Sequence, residues 1–272
     1  MSGSGRELRV AEEVIGVMRE RLAHPLPIED LARAAHYSKF HFCRVFLRAT
    51  GVTPNRFLAA LRLQASRHLL LKTDATVSDV CCAVGYSSVG TFTSRFTKSV
   101  GMPPSVFRST GGFSPSPLQV DGPDAADGPA ADGGPVPPAI EGKLFAPPGH
   151  GPERIMLAAF PSPIPEGRPR RCILLDCPGA WRLPVDHPGV WYVSATTLAA
   201  DEAGYASSPL LEDQARFVGW AGPVVVRADG PTRDVELRLH AVRSTDPPIL
   251  FAPPRRLPPA FTCARARRRP TR

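Results

Sequence analysis

Proline is distributed so unevenly that it divides this 272-residue chain before any other feature is considered. Only five of the 32 prolines fall in residues 1–112. At the join, GGFSPSPLQVDGPDAADGPAADGGPVPPAI (111–140) carries seven Pro, six Gly and four Asp, with almost no large apolar side chain. Such a stretch cannot bury enough surface to offset the entropy of ordering it. A flexible linker is therefore expected over 111–142, between a unit at 1–110 and a unit at 143–260. The length suits two modest units.

Charge follows the same division. The formal net charge is +8, of which residues 1–110 hold +7. Residues 111–140 hold four acids and no base, residues 141–260 balance, and FTCARARRRPTR (261–272) adds five Arg. The basic excess points the first unit and the tail toward a polyanion. The tail itself reads either as a disordered solubilising end or as a salt-sensitive, sequence-independent DNA contact. Hydrophobic residues at 43% exclude wholesale disorder. No apolar run reaches the 18 residues of a membrane-spanning helix, and the N-terminus lacks the pattern of a secretory signal. Cys43, Cys81, Cys82, Cys172, Cys177 and Cys263 show neither CxxC pairing nor the density of a disulfide scaffold. A cytoplasmic, nucleoid-associated location is expected.

Residues 1–110 read as helical. Leu8, Val14, Ile15, Val17, Met18 and Leu22 recur at three-to-four spacing until Pro25 and Pro27 stop the helix. IEDLARAA follows. Ser38 then caps SKFHFCRVFLRATG, whose Phe42, Val45, Phe46 and Ala49 share a face and whose Gly51 ends it. Two short helices joined this way form a helix-turn-helix corner, a weak signal alone. The corner recurs fifty residues on: TVSDVCCAVG, then Ser88 opening VGTFTSRFTKSVG, with Phe92 and Phe96 repeating Phe42 and Phe46. Between them lies a helix opened by Pro54, about 17 residues or roughly 26 Å long. A strut of that length suits two reading helices near the ~34 Å of one DNA turn.

IEDLARAAHYSKFHFCRVFLRATGVTPNRFLAALRLQASRHLL with VSDVCCAVGYSSVGTFTSRFTKSVGMPPSVFR resembles the DNA-binding domain of the AraC/XylS transcriptional regulators. Gly85-Tyr86, Ser88, Phe92, Phe96, Gly101, Pro104-Ser105 and Phe107-Arg108 stand at that family's spacing. The resemblance implies two recognition helices in the major groove and control of transcription. In the first, Phe40, Cys43 and Arg44 point away from the core stripe, and Arg44 suits bidentate readout of guanine. In the second, the DNA-facing positions carry Val89, Gly90, Thr93 and Ser94, with Val89 and Thr93 suited to thymine methyl groups. Ser94 stands where many members have Arg, and Arg95 follows it. Ser38, Lys39, Arg48, Ser88 and Lys98 are placed for phosphates, which orient without specifying sequence. Phe40 reads equally as a packing residue, and Arg48 and Lys98 also read as helix-end charges complementing the macrodipole.

From Lys143 short apolar runs alternate with Pro and Gly. RIMLAAFP, CILLDC, AWRLPV, VWYVSATT, RFVGW, PVVVRA, DVELRLHAV and ILFAP are expected strands of a β-sandwich. GAWRLPVDHPGVWYVSATT weakly resembles transthyretin-like (carboxypeptidase-regulatory-like) modules, with Trp181 and Trp191 at the usual Tyr places. The fold class is thus multi-domain α plus β, an all-α double helix-turn-helix followed by an all-β sandwich. Trp181, Trp191, Tyr192 and Trp220 read as core aromatics, with an effector pocket as the alternative. Asp176, His187 and Ser194 supply the letters of a triad without a nucleophile elbow, and Asp186-His187-Pro188-Gly189 reads as a turn. No enzyme activity, cofactor or metal is expected. Double-stranded DNA is the expected partner, with RNA polymerase, an effector or a second copy as further candidates. The competing reading is a DNA-repair protein with a reactive Cys as alkyl acceptor.

Overall fold

Fifty residues separate two copies of one helical corner. The computed structural model describes residues 2–115, 138–148, 154–169, 171–199, 206, 216–228 and 230–257. The rest of the expected linker and the Arg-rich tail lie outside the described residues. Seven helices come first: α1 (Ser2–Glu20), α2 (Ile28–Ala34), α3 (Lys39–Thr50), α4 (Pro54–Lys72), α5 (Val77–Ala83), α6 (Val89–Val100) and α7 (Pro104–Ser109). α2 and α5 each span 7 residues, and α3 and α6 each span 12.

The same residue types set the ends of both copies. Ser38 accepts a hydrogen bond from the His41 amide and Ser88 from the Thr91 amide, satisfying an amide that the helix leaves without a partner. Gly51 and Gly101 close α3 and α6 in the left-handed region at φ 72° and 94°, which glycine enters without a Cβ penalty. Pro54 and Pro104 then open α4 and α7, where a missing N–H costs nothing. The aromatic core repeats as well. Phe42–Phe46 and Phe92–Phe96 both lie 5.7 Å apart at 56°, each completed edge-on by Phe57 or Phe107.

α4 is more than a strut between the two corners. Phe57, Leu58, Ala60, Leu61, Leu63, Ser66, Arg67 and Leu70 are all buried, so the helix is covered on several sides. The cover comes from both corners and from the far end of the chain. Ile164, Leu250 and Ala252 belong to the same core as the helical phenylalanines.

Eight strands follow: β1 (Ala139–Phe145), β2 (Arg154–Phe160), β3 (Cys172–Leu175), β4 (Ala180–Pro184), β5 (Gly189–Leu198), β6 (Phe217–Val226), β7 (Thr232–Arg238) and β8 (His240–Ala241). They form a three-stranded sheet, β4-β1-β7, and a five-stranded sheet, β3-β2-β5-β6-β8. Ile140, Leu144, Trp181, Leu183 and Leu237 from the first meet Ile155, Leu157, Trp191, Val193 and Ala195 from the second in one core. That is face-to-face sheet packing.

Three expectations are corrected. β1 begins at Ala139, inside the stretch expected to be linker, and pairs with β4 antiparallel and β7 in parallel. Its seven residues follow directly on a Pro- and Gly-rich run, which hides the strand from a compositional reading. RFVGW and PVVVRA are one strand, β6, which passes through Gly222-Pro223 as a bulge: three steps of β6, from Ala221 to Val224, oppose two of β5, from Trp191 to Val193. A Cβ at Gly222 would stand 2.7 Å from the Tyr192 ring. ILFAP is not a strand; its backbone turns to the helices instead.

The outer face of the five-stranded sheet packs on that segment and on the helices. Phe160 stacks on Phe251 with centroids 5.5 Å apart. Arg67 of α4 is fully buried, donates to the Ile249 carbonyl at 2.5 Å and lies 5.4 Å from the Phe107 ring centroid. Burial pushes its guanidinium pKa down to about 9, so it keeps its charge at neutral pH. Nearby, Arg56 donates to Ser162 at 2.7 Å, and Glu166 takes hydrogen bonds from Arg56 and Ser99. The helical and β regions, expected to be only loosely tethered, share an interface.

Candidate nucleic-acid interface

The first halves of α3 and α6 face solvent. A capped helix start presents amide groups and a positive dipole end outward, both favourable to phosphate oxygens. On α3, Ser38, Lys39, Phe40, Arg44 and Arg48 are exposed and Cys43 is half-buried. Phe40 is 81% exposed, which removes the reading of it as a packing residue of this chain. Arg44 has no hydrogen-bond or ion-pair partner among the described residues, and its guanidinium fork is free to meet a base edge. On α6, Ser88, Val89, Gly90, Ser94 and Lys98 are exposed and Thr93 is half-buried.

Two of the expected phosphate contacts are engaged within the chain. Lys39 pairs with Glu29 at 2.7 Å, which holds the Glu29 carboxyl below its usual range and raises the Lys39 ammonium. Arg48 pairs with Glu7 of α1 at 2.7 Å, tying the end of α3 to the preceding helix. Both pairs are partly exposed and thus weak enough to exchange for phosphate. Lys98 lies at the end of α6 that the 162–168 loop approaches, where the Gly167 amide donates to the Ser99 carbonyl at 2.5 Å.

Sequence reasoning passed over Arg95 as a site residue. It stands fifty residues after Val45, which is buried, yet Arg95 itself is exposed. It borders an open groove of about 710 Å³ together with Arg62, Tyr86 and Thr91. The available signal was the break in the repeat itself, an Arg where the first copy has Val. Arg62 is committed to structure: its guanidinium donates to the Leu22 and His24 carbonyls at 3.0 and 2.8 Å, fixing the segment after α1.

In the β region, Trp181 and Trp191 lie in the core, whereas Tyr192 and Trp220 line a cavity of about 500 Å³. His187 sits exposed in the turn before β5, its ring Nδ1 beside the Pro188 carbonyl, while Ser194 is buried within β5. No helix among the described residues is long and apolar enough to cross a membrane.

Two Ser-capped second helices, each held by a short preceding helix and joined through α4, define a double helix-turn-helix protein. Residues 31–110 match the family described as a helix-turn-helix domain. The chain is 34% identical over 96 residues to the uncharacterized HTH-type transcriptional regulator YobQ of Bacillus subtilis, covering 35% of this chain and 40% of that protein. It is 37% identical over 91 residues to the MmsAB operon regulatory protein of Pseudomonas aeruginosa, covering 34% and 30% respectively. Among solved structures, an AraC-type transcriptional regulator from Chromobacterium violaceum matches at 26% identity and a TM-score of 0.37, over 41% of this chain and 96% of that one. The chain spans less than half the length of the curated relatives it matches. Residues 31–110 of the helical region thus carry a helix-turn-helix domain.

Proposed function

We propose that this chain is a sequence-specific DNA-binding regulator of transcription whose α3 and α6 enter adjacent major grooves of one duplex. The observation that carries the reading is the fifty-residue structural repeat with both helix starts exposed, including apolar Phe40 and Val89. Apolar side chains left in water at a helix start suit the methyl-lined floor of a major groove. The names of the two relatives above support the same reading.

In this reading Arg44 reads guanine, and Phe40, Cys43, Val89, Gly90, Thr93 and Ser94 approach base edges. Ser38, Lys39, Arg48, Ser88 and Lys98 hold phosphates, with Lys39 and Arg48 exchanging their carboxylates for them. Residues 1–110 form the reading unit, a linker joins it to an accessory β unit that opens with β1 at Ala139, and 261–272 form a basic tail that adds salt-dependent affinity. The protein acts in the cytoplasm by occupying DNA, with RNA polymerase as a further partner, rather than by catalysis. The repair reading needs a thiol with lowered pKa, and burial pushes the Cys81 thiol the other way.

Footprinting of the full chain on sequences selected from a random pool tests this. Two protected major-groove segments about one turn apart are expected. A sequence-independent binding curve overturns the proposal.

A further inference from the structure

The cavity of about 500 Å³ lies between the two halves of the molecule and is walled by both. From the helical side come Leu8 of α1 and the last turn of α3 with Gly51. From the β side come Phe160, Tyr192, Ser194 and Trp220. Its size falls within the range of small-molecule sites, which lie preferentially between domains.

Its polar groups are the reason to assign an occupant. Ser194 is 2% exposed, and its Oγ has no hydrogen-bond partner among the described residues. Trp220 is the cross-strand neighbour of Ser194, and its indole Nε1 is likewise buried and without a partner. Trp191, Val193 and Ala195 of β5 turn into the sandwich core, so the alternating Tyr192 and Ser194 face the helices. Two adjacent, unpartnered donors in an apolar hollow are costly to keep. A donor buried without a bond forfeits the hydrogen bonds it would make to water.

The chemistry of the wall also sets the ligand's charge. The Asp246 carboxylate is taken up by His240 Nε2 at 3.0 Å and the Arg243 amide at 2.7 Å. Its oxygens are thereby engaged, and Arg243 on the same wall balances its charge, so the wall favours neither an anion nor a cation. What remains on offer is N–H and O–H donation beside aromatic surface.

We infer that this cavity binds a small, uncharged, largely aromatic molecule through a carbonyl-type oxygen that accepts from Ser194 Oγ and Trp220 Nε1. The last turn of α3 forms part of the wall, so occupancy stiffens the end of the first reading helix directly. The binding claim stands apart from the proposed DNA-binding role and is tested without DNA.

The probes are 2-acetylnaphthalene and 2-ethylnaphthalene, which differ in the carbonyl oxygen, titrated against the full chain with tryptophan emission and ligand-observed NMR. The acetyl compound is expected to bind about tenfold more tightly, the worth of one good hydrogen bond. Ser194→Ala and Trp220→Phe are each expected to reduce that preference, and the double variant to erase it. Both variants should melt no lower than the parent, because they remove donors that the empty protein leaves unbonded. Amide exchange at Leu47–Gly51 should slow when the acetyl compound binds. Equal binding of both probes, a preference that survives both substitutions, no binding at millimolar concentration, or unchanged exchange in α3 overturns the assignment. Variants that melt well below the parent do so too, since they would give Ser194 and Trp220 a purely structural role.

Discussion

The two helix-turn-helix units share lengths, caps and aromatic cores, and they differ in what holds their outer ends. The end of α3 is tied by an exposed ion pair to Glu7 and opens onto the cavity. The end of α6 is closed by the 162–168 loop, with Ser99 donating to Glu166 and accepting from the Gly167 amide. The reading surfaces differ in the same sense. α3 presents Arg44 beside Phe40, whereas α6 presents Val89, Gly90 and Ser94, with its unmatched cation at Arg95. A duplicated scaffold thus keeps its core while the ends and faces diverge. α6 is anchored and soft in its chemistry; α3 is chemically sharp and adjustable.

The strongest way to break this comparison is at the shared core. Phe46→Ala and Phe96→Ala should each cost about 3–5 kcal/mol in denaturant unfolding, because each removes a fully buried ring from an equivalent cluster. Clearly unequal losses would show that the two cores are not equivalent. Next comes Arg67→Ala, expected to cost about 3 kcal/mol by leaving a cavity and an unbonded Ile249 carbonyl under the C-terminal segment.

At the reading surface, Arg44→Ala should weaken binding to the selected site by about 1–3 kcal/mol and relax one base position. Ser94→Ala, its counterpart, should change little; a loss as large as that at Arg44 would erase the asymmetry. Lys39→Ala should lower affinity evenly across sequences and reduce the salt slope by about one.

The smallest effect separates α2 from α5 by pH. Thr76 and Asp79 form a reciprocal cap on α5, whereas Pro27 gives α2 no side-chain cap. Hydrogen bonds from Thr76 hold the Asp79 carboxyl below its usual range. That support is complete above about pH 4 and is lost as pH falls through the depressed value. Acid should therefore fray the start of α5, and Asp79→Asn should remove that slope, both followed by amide exchange.

The repeat was legible because its determinants are local. A Ser start, a Gly stop, a following Pro and paired phenylalanines act within a dozen residues. The same locality explains Ser38 and Ser88 as caps. The burial of Arg67 was not legible, because its partner is 182 residues away and an Arg on a helix reads as solvated. Nor was the fate of ILFAP, whose apolar residues suit a strand as well as an extended cover for someone else's core. Gly222 hid β6 for a related reason: the close approach of Tyr192 that demands a glycine there is made across strands, not along the sequence. The four aromatics of the β unit divided by strand face, Trp181 and Trp191 inward and Tyr192 and Trp220 to the cavity. Register decides that division, and composition carries no register.

Ile164, Leu250 and Ala252 complete the core around the helical phenylalanines, and this bears on how the molecule is made. On the ribosome, the helices emerge more than a hundred residues before the segment that seals them. The nascent reading unit therefore waits with an apolar flank and the Arg67 side chain uncovered until synthesis is nearly over. A stop codon between residues 110 and 249 would release a polypeptide that has every recognition residue yet lacks part of its own interior.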